Sequence, residues 1–240
     1  MQVYYITGAS RGIGRALAER LLATQADAEV IGIGRTSSIE HARYRHQPLD
    51  LRDMAAVQAF SFPPHAGATR VVLVNNAGAL TVKPLGKTPG QAIIDDYLVN
   101  LVAPTLLLNS FVAAYQDLAA DVQVVNISSG AASRATDGWA VYCAGKAGID
   151  LLSRSVALEQ QVAGGHVRVL SIAPGVVDTE MQGLIRATDP ADFSRQAEFV
   201  GFKQSGALAD PAVIAQKLCK VMDDRSLGAD VVMSLRDVAL

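Results

Sequence analysis

Three side chains in this sequence have the types and spacing for proton transfer at a carbonyl. Tyr142 and Lys146 stand at i and i+4, so on a helix they share one face. A free phenol has a pKa of about 10, too high for efficient proton exchange at neutral pH. An ammonium beside it favours the phenolate and lowers that value, which would make Tyr142 a workable acid and base. Thirteen residues before the tyrosine, at the end of an apolar run, comes Ser129. A hydroxyl there could hold a carbonyl oxygen as negative charge develops on it. Taken alone, a Tyr-x-x-x-Lys pair also arises by chance on helices whose tyrosine simply packs.

The segments upstream add weight. The run Val3 to Ile6 leads into Thr7-Gly8-Ala9-Ser10-Arg11-Gly12-Ile13-Gly14, after which helical periodicity begins. Glycines between a strand and a helix let the backbone turn tightly and approach a pyrophosphate, which a helix N-terminus favours electrostatically. The second apolar run ends in Gly34-Arg35-Thr36-Ser37, about where an acid would bind the ribose of NAD. Arg35 stands there instead. With Arg11 it could meet a 2′-phosphate, with Thr36 and Ser37 adding hydroxyls, which favours NADP(H) over NAD. The alternative is a solvated loop cation. After Val71 to Val74 comes the amide-rich turn Asn75-Asn76-Ala77-Gly78, which read alone is equally an Asx turn.

These residues need a frame that brings strand ends together. Apolar, β-branched runs recur at Val3 to Ile6, Glu29 to Ile33, Val71 to Val74, Val122 to Ile127, Val167 to Ile172 and Ala229 to Met233. Helical periodicity occupies Gly12 to Thr24, Gln91 to Tyr115, Val141 to Val162 and Pro211 to Asp223. The alternation predicts an α/β fold, a doubly wound parallel sheet of the Rossmann type with helices on both faces, as a single domain over residues 1–240. The stretch 180–209 carries Phe193, Phe199 and Phe202 among polar residues and reads either as a surface helix pair or as a substrate loop.

Composition narrows the partners. The formal net charge is -2, which argues against nucleic acid or an anionic membrane, so a small molecule is expected. The two cysteines, Cys143 and Cys219, form no Cys-x-x-Cys pair and lie near no histidine at ligand spacing, so neither a disulfide framework nor a metal is expected. With no export signal and only short apolar runs, the expectation is a cytoplasmic protein that binds no membrane.

The ordered combination of glycine turn, amide turn, strand-end serine and Tyr-Lys pair resembles the short-chain dehydrogenase/reductase family over essentially the whole chain. The resemblance implies the catalytic set Asn100, Ser129, Tyr142 and Lys146, with Asn100 holding a water that extends a proton relay from the lysine. It implies that Lys146 also binds the nicotinamide ribose, that Asp50 and Leu51 flank the adenine, and that Pro174, Gly175, Val177 and Thr179 contact the nicotinamide end. The cofactor set is then Gly8, Ser10, Arg11, Gly12, Ile13, Gly14, Arg35, Thr36, Asp50, Leu51, Asn76, Ala77, Gly78, Tyr142, Lys146 and the four residues just named. Within the family, Gly138 to Lys146 and Ala173 to Met181 are similar to sepiapterin reductases and bacterial benzil reductases. That similarity implies NADPH-dependent reduction of a ketone or vicinal dicarbonyl, and a homodimer or homotetramer. A pterin anchor would fall to Asp230 or Asp237. Trp139 is either a core residue or a wall of the cleft. Two rival readings remain: an NAD(P)-linked alcohol dehydrogenase of another subgroup, and an NADP-binding sensor or scaffold without turnover.

Overall fold

A computed structural model describes all residues from Met1 to Leu240. Seven parallel strands form one sheet: β1 (Gln2–Thr7), β2 (Ala28–Gly34), β3 (Tyr44–Pro48), β4 (Arg70–Asn75), β5 (Asp121–Ile127), β6 (Arg168–Ala173) and β7 (Val232–Ser234). Their order is β3-β2-β1-β4-β5-β6-β7. The winding direction reverses between β1 and β4, and a crevice opens beyond the strand ends at such a point.

Alternation along β1 shows how the sheet serves two cores. Tyr4 and Ile6 face the layer that holds α1 (Gly12–Thr24) and α8 (Pro211–Asp223), while Val3 and Tyr5 face the opposite layer. That second layer holds α2 (Met54–Ala59), α4 (Ala103–Tyr115) and α5 (Ala140–Ala163). Burial on both faces is why the strands read as continuous apolar runs.

β3 departs from that rule and from the sequence expectation. Its residues Tyr44-Arg45-His46-Gln47-Pro48 are polar because it is an edge strand whose faces are largely in solvent. Arg43 pins its start by donating to the carbonyls of Leu22 in α1, Gln25 just past that helix and Ala28 at the start of β2. α2 also escapes the periodicity reading, being six residues long. β7 is shorter and later than the expected Ala229 to Met233.

The long helix expected at Gln91 to Tyr115 begins at Gly90 and contains a π turn. α3 (Gly90–Tyr97) passes into Leu98–Val102 and then into α4. Contrary to the expectation that every apolar run is too short, Gly90–Tyr115 is long and apolar enough to cross a bilayer, with mean hydropathy 1.6. In the fold, Leu107, Phe111 and Tyr115 pack it onto the sheet.

The stretch 180–209 forms a helix pair, α6 (Glu180–Arg186) and α7 (Gln196–Gln204). It is not a plain surface pair. Ile185, Phe193 and Phe199 are buried with Ala131, Trp139 and Tyr142 in a third apolar cluster. The Trp139 ring stacks on Phe193 at 5.3 Å and meets Tyr142 edge-on at 5.8 Å.

Candidate active site

A cleft of about 1790 Å³ runs along the carboxyl edge of the sheet, larger than a single drug-sized ligand needs. At one end is the turn from β1 into α1. Gly8 and Gly12 have φ of +70° and +55°, the left-handed region that favours glycine. Gly14 carries a different constraint: a Cβ there would lie 2.4 Å from Asn76 Nδ2 and 2.5 Å from the Gly8 carbonyl oxygen. Gly14 therefore does not line the cleft; it lets α1 close against the turn.

The amide turn braces this loop. Asn76 Nδ2 donates to the Thr7 carbonyl at 2.9 Å, and the Thr7 hydroxyl accepts from the backbone N–H of Asn76 and Ala77. No side chain caps the first turn of α1, and no acid stands in it, so its N–H groups remain for a phosphate. Ser10, Ile13 and Thr36 line this end, as do Ala77 and Gly78.

The flanking cations divide. Arg35 lines the cleft and makes no ion pair, whereas Arg11 pairs with Glu180 across the mouth, so only one of the two expected cations is free. Ser37 turns to its own loop, where its Oγ accepts from the Ile39 backbone N–H; Ser38 lines the cleft in its place. Asp50 and Leu51 reach the cleft because β3 carries the chain to the sheet edge. Hydrogen bonds from Arg52 hold the Asp50 carboxyl down to about 2. At the far strand end, Pro174, Gly175, Val177 and Thr179 follow β6. Gly175 has φ +85°, and Val177 turns its side chain into the core.

Past this end lie the expected catalytic side chains. Ser129 accepts from the Ala131 N–H, capping a short 3₁₀ turn, which leaves its own O–H to donate. Tyr142 and Lys146 are both buried on α5, with the ammonium 5.6 Å from the phenol ring centre. The ammonium donates to the Ile127 carbonyl at 2.8 Å.

The electrostatics differ from the sequence expectation. Burial pushes the Tyr142 phenol up to about 12, with the Ser129 hydroxyl acting in the opposite sense. Burial likewise pushes Lys146 down to about 8, against the field of Asp150. Desolvation penalises the charged form of each. The phenol is therefore protonated at neutral pH.

Asn100 sits in the π turn and is buried behind Gly78, outside the cleft lining. Its amide is committed to Ala79, donating to the carbonyl at 2.7 Å and accepting from the N–H at 3.1 Å. The side chain thus braces the loop, with one amide N–H and one lone pair of its oxygen still open. Ser128 and Ser129 both border the cleft, and the Ser128 Oγ is buried without a partner. Asp230 and Asp237 border the cleft on the β7 side.

Comparison with known proteins agrees with this geometry. Residues 2–190 match the family model described as short chain dehydrogenase. The chain is 36% identical over 233 residues to the benzil reductase ((S)-benzoin forming) of Bacillus subtilis (strain 168), covering 93% of this chain and 94% of that protein. It is 34% identical over 238 residues to the sepiapterin reductase of Mus musculus, covering 90% and 89%. Among solved structures, a putative NAD(P)-dependent gluconate 5-dehydrogenase from Beutenbergia cavernae with NADP bound at low occupancy superposes with TM-score 0.82. It is 27% identical, covering 98% of this chain and 94% of that one. With family model, relatives, sheet order and cleft in agreement, the chain belongs to the short-chain dehydrogenase/reductase family, as an oxidoreductase acting on carbonyl or CH–OH groups.

Proposed function

We propose that this chain is an NADPH-dependent carbonyl reductase whose substrates are ketones, vicinal dicarbonyls above all. The observation that carries the reading is the buried Tyr142 phenol, with the Lys146 ammonium on the same helix face and the Ser129 hydroxyl beside it, at the foot of an aromatic wall. A neutral phenol is the form that can give a proton to a carbonyl oxygen.

The cleft fits a dinucleotide: positive-φ glycines, an uncapped α1 N-terminus and an unpaired Arg35 lie in sequence along one edge. Gly8, Gly12 and Ile13 would hold the pyrophosphate, Arg35 and Thr36 the 2′-phosphate, Asp50 and Leu51 the adenine, and Lys146 the ribose. The bound dinucleotide supplies the hydride. Ser129 holds the substrate oxygen, Tyr142 protonates it, the Lys146 ammonium stabilises the phenolate as it forms, and Asn100 positions the Ala79 loop. The benzil and sepiapterin reductases among the relatives support the dicarbonyl class, and the stacked Trp139 and Phe193 support a planar or aromatic substituent.

One steady-state experiment tests cofactor and substrate together. NADPH is expected to bind at least about tenfold more tightly than NADH, roughly 1.4 kcal/mol, and Arg35→Asp is expected to invert that preference. Benzil or a sepiapterin-like compound is expected to turn over faster than simple aliphatic ketones. Equal affinities would remove the NADPH assignment, and turnover of aliphatic ketones alone would remove the dicarbonyl assignment.

We further infer a homo-oligomer. Leu151, Leu158 and Val162 are exposed on α5 at i, i+7 and i+11, one apolar stripe without a partner in the monomer. A second copy of the chain is the expected cover, as a homodimer or homotetramer. A single monomeric species by analytical ultracentrifugation at micromolar concentration would refute it.

A further inference from the structure

The aromatic end of the cleft carries a cation that the reduction just described does not use. Arg134 stands five residues after Ser129, and its guanidinium folds back over Gly130, where an added Cβ would lie 3.1 Å from Nη2. The guanidinium therefore sits beside the residue that directly follows the serine at the reacting oxygen. It borders the cleft, is exposed, and makes neither an ion pair nor a side-chain hydrogen bond.

The neighbouring charges do not neutralise it. Glu198 accepts two hydrogen bonds from Arg195, at 2.7 and 2.8 Å, and those bonds come first in holding its carboxyl low; Arg134 adds only its field. Asp96, also bordering the cleft, accepts the Thr81 N–H, and burial pushes it up toward its neutral form. Arg35 belongs to the opposite end of the cleft, and Arg236 lies over Gly175 on the β7 side. Arg134 is the free cation next to the chemistry.

We propose that Arg134 recognises a carboxylate and that 2-oxo acids with an aromatic or bulky apolar substituent are substrates of this site. The inference rests on the reductase reading above. In a 2-oxo acid the carboxylate is bonded directly to the reacting carbon, so it falls next to whatever holds the reacting oxygen. Ser129 and the guanidinium over Gly130 stand in that relation. A guanidinium offers a planar fork that matches both carboxylate oxygens, and Ile185 and Phe199 give the substituent an apolar wall. The reaction is unchanged: the 2-carbonyl gains a hydride from the dinucleotide and a proton from Tyr142, giving a 2-hydroxy acid with its carboxylate intact.

The test compares phenylglyoxylate, its methyl ester and benzil as substrates of the full chain with NADPH. The acid is expected to exceed the ester in kcat/KM by about tenfold or more, an advantage that added salt erodes. Arg134→Ala should abolish the advantage through KM, with kcat within about threefold and the ester unaffected. Arg134→Lys should keep part of it, since the charge remains and the fork is lost. A readout without turnover comes from Trp139, the single tryptophan, whose fluorescence reports phenylglyoxylate binding to the cofactor-free chain; Arg134→Ala should weaken that binding.

An ester as good as the acid, or a variant that slows acid and ester equally, overturns the proposal. If benzil is reduced while the acid is not, this inference falls and the diketone reading stands. If the acid is reduced in an Arg134-dependent way while benzil is untouched, the reverse holds. If none of the three turns over, both fall.

Discussion

Tyr142→Phe is expected to lower turnover by a factor of about 10² or more while leaving NADPH binding nearly unchanged. The ring is buried against Trp139 and the third apolar cluster, and phenylalanine keeps that packing. What is lost is the transferable phenol proton beside the Ser129 hydroxyl. Cofactor titration and thermal unfolding separate a lost proton from a lost fold. Ser129→Ala should also impair turnover, through the lost hold on the substrate oxygen. Ser128→Ala should cost less, since it removes a buried hydroxyl that has no partner. Near-full activity in folded Tyr142→Phe would end the proposed chemistry, and an NADP-binding sensor would then need its own demonstration.

Lys146→Met should abolish most activity and change how stability depends on pH. Lys146 is buried, and its folded pKa of about 8 lies below the unfolded value of about 10.4. Between those values the unfolded chain binds more protons than the folded one, so the stability of the unmodified chain rises with pH across this window. The penalty of the buried ammonium is fully present below about pH 8 and fades as pH approaches about 10.4. Lys146→Met has no such penalty. From pH 7 to pH 9.5 the unmodified chain should therefore gain about 2 kcal/mol relative to the variant in denaturant unfolding. The other contribution, loss of the donor to the Ile127 carbonyl, is nearly independent of pH and cancels from the comparison. A difference that stays flat with pH would show that the ammonium is not desolvated. Activity should fail through both the proton step and cofactor affinity, which distinguishes this variant from Tyr142→Phe.

Much of the fold was legible because its signals are local. β1, β2, β4, β5 and β6 appear as buried β-branched runs, and α1 and α8 occupy the residues that their periodicity predicts. The segments that escaped share one property: their signal is weak along the chain. β3 is polar because its faces meet water, and α2 is shorter than two helical turns; β7, foreseen at Ala229 to Met233, spans only the three residues Val232–Ser234. The cost falls on the site, since β3 is the strand that delivers Asp50 and Leu51.

By itself the sequence determined the chemistry on offer. The i, i+4 spacing of Tyr142 and Lys146, the serine at a strand end and the glycines between β1 and α1 are short-range relations that survive any packing consistent with the pattern. Only the tertiary structure decided what state those groups are in and what surrounds them. The lysine that was expected to lower the phenol's pKa is desolvated together with it and bound to Ile127. Arg11 is taken by Glu180, a residue 169 positions away, while Arg35 remains free. Asn100 is committed to Ala79, and Trp139 becomes a wall only because Phe193 arrives to stack on it. Each of these outcomes depends on burial or on a partner distant in sequence. Periodicity and spacing report which residues share a face, but desolvation and pairing are set by the atoms that folding brings to that face.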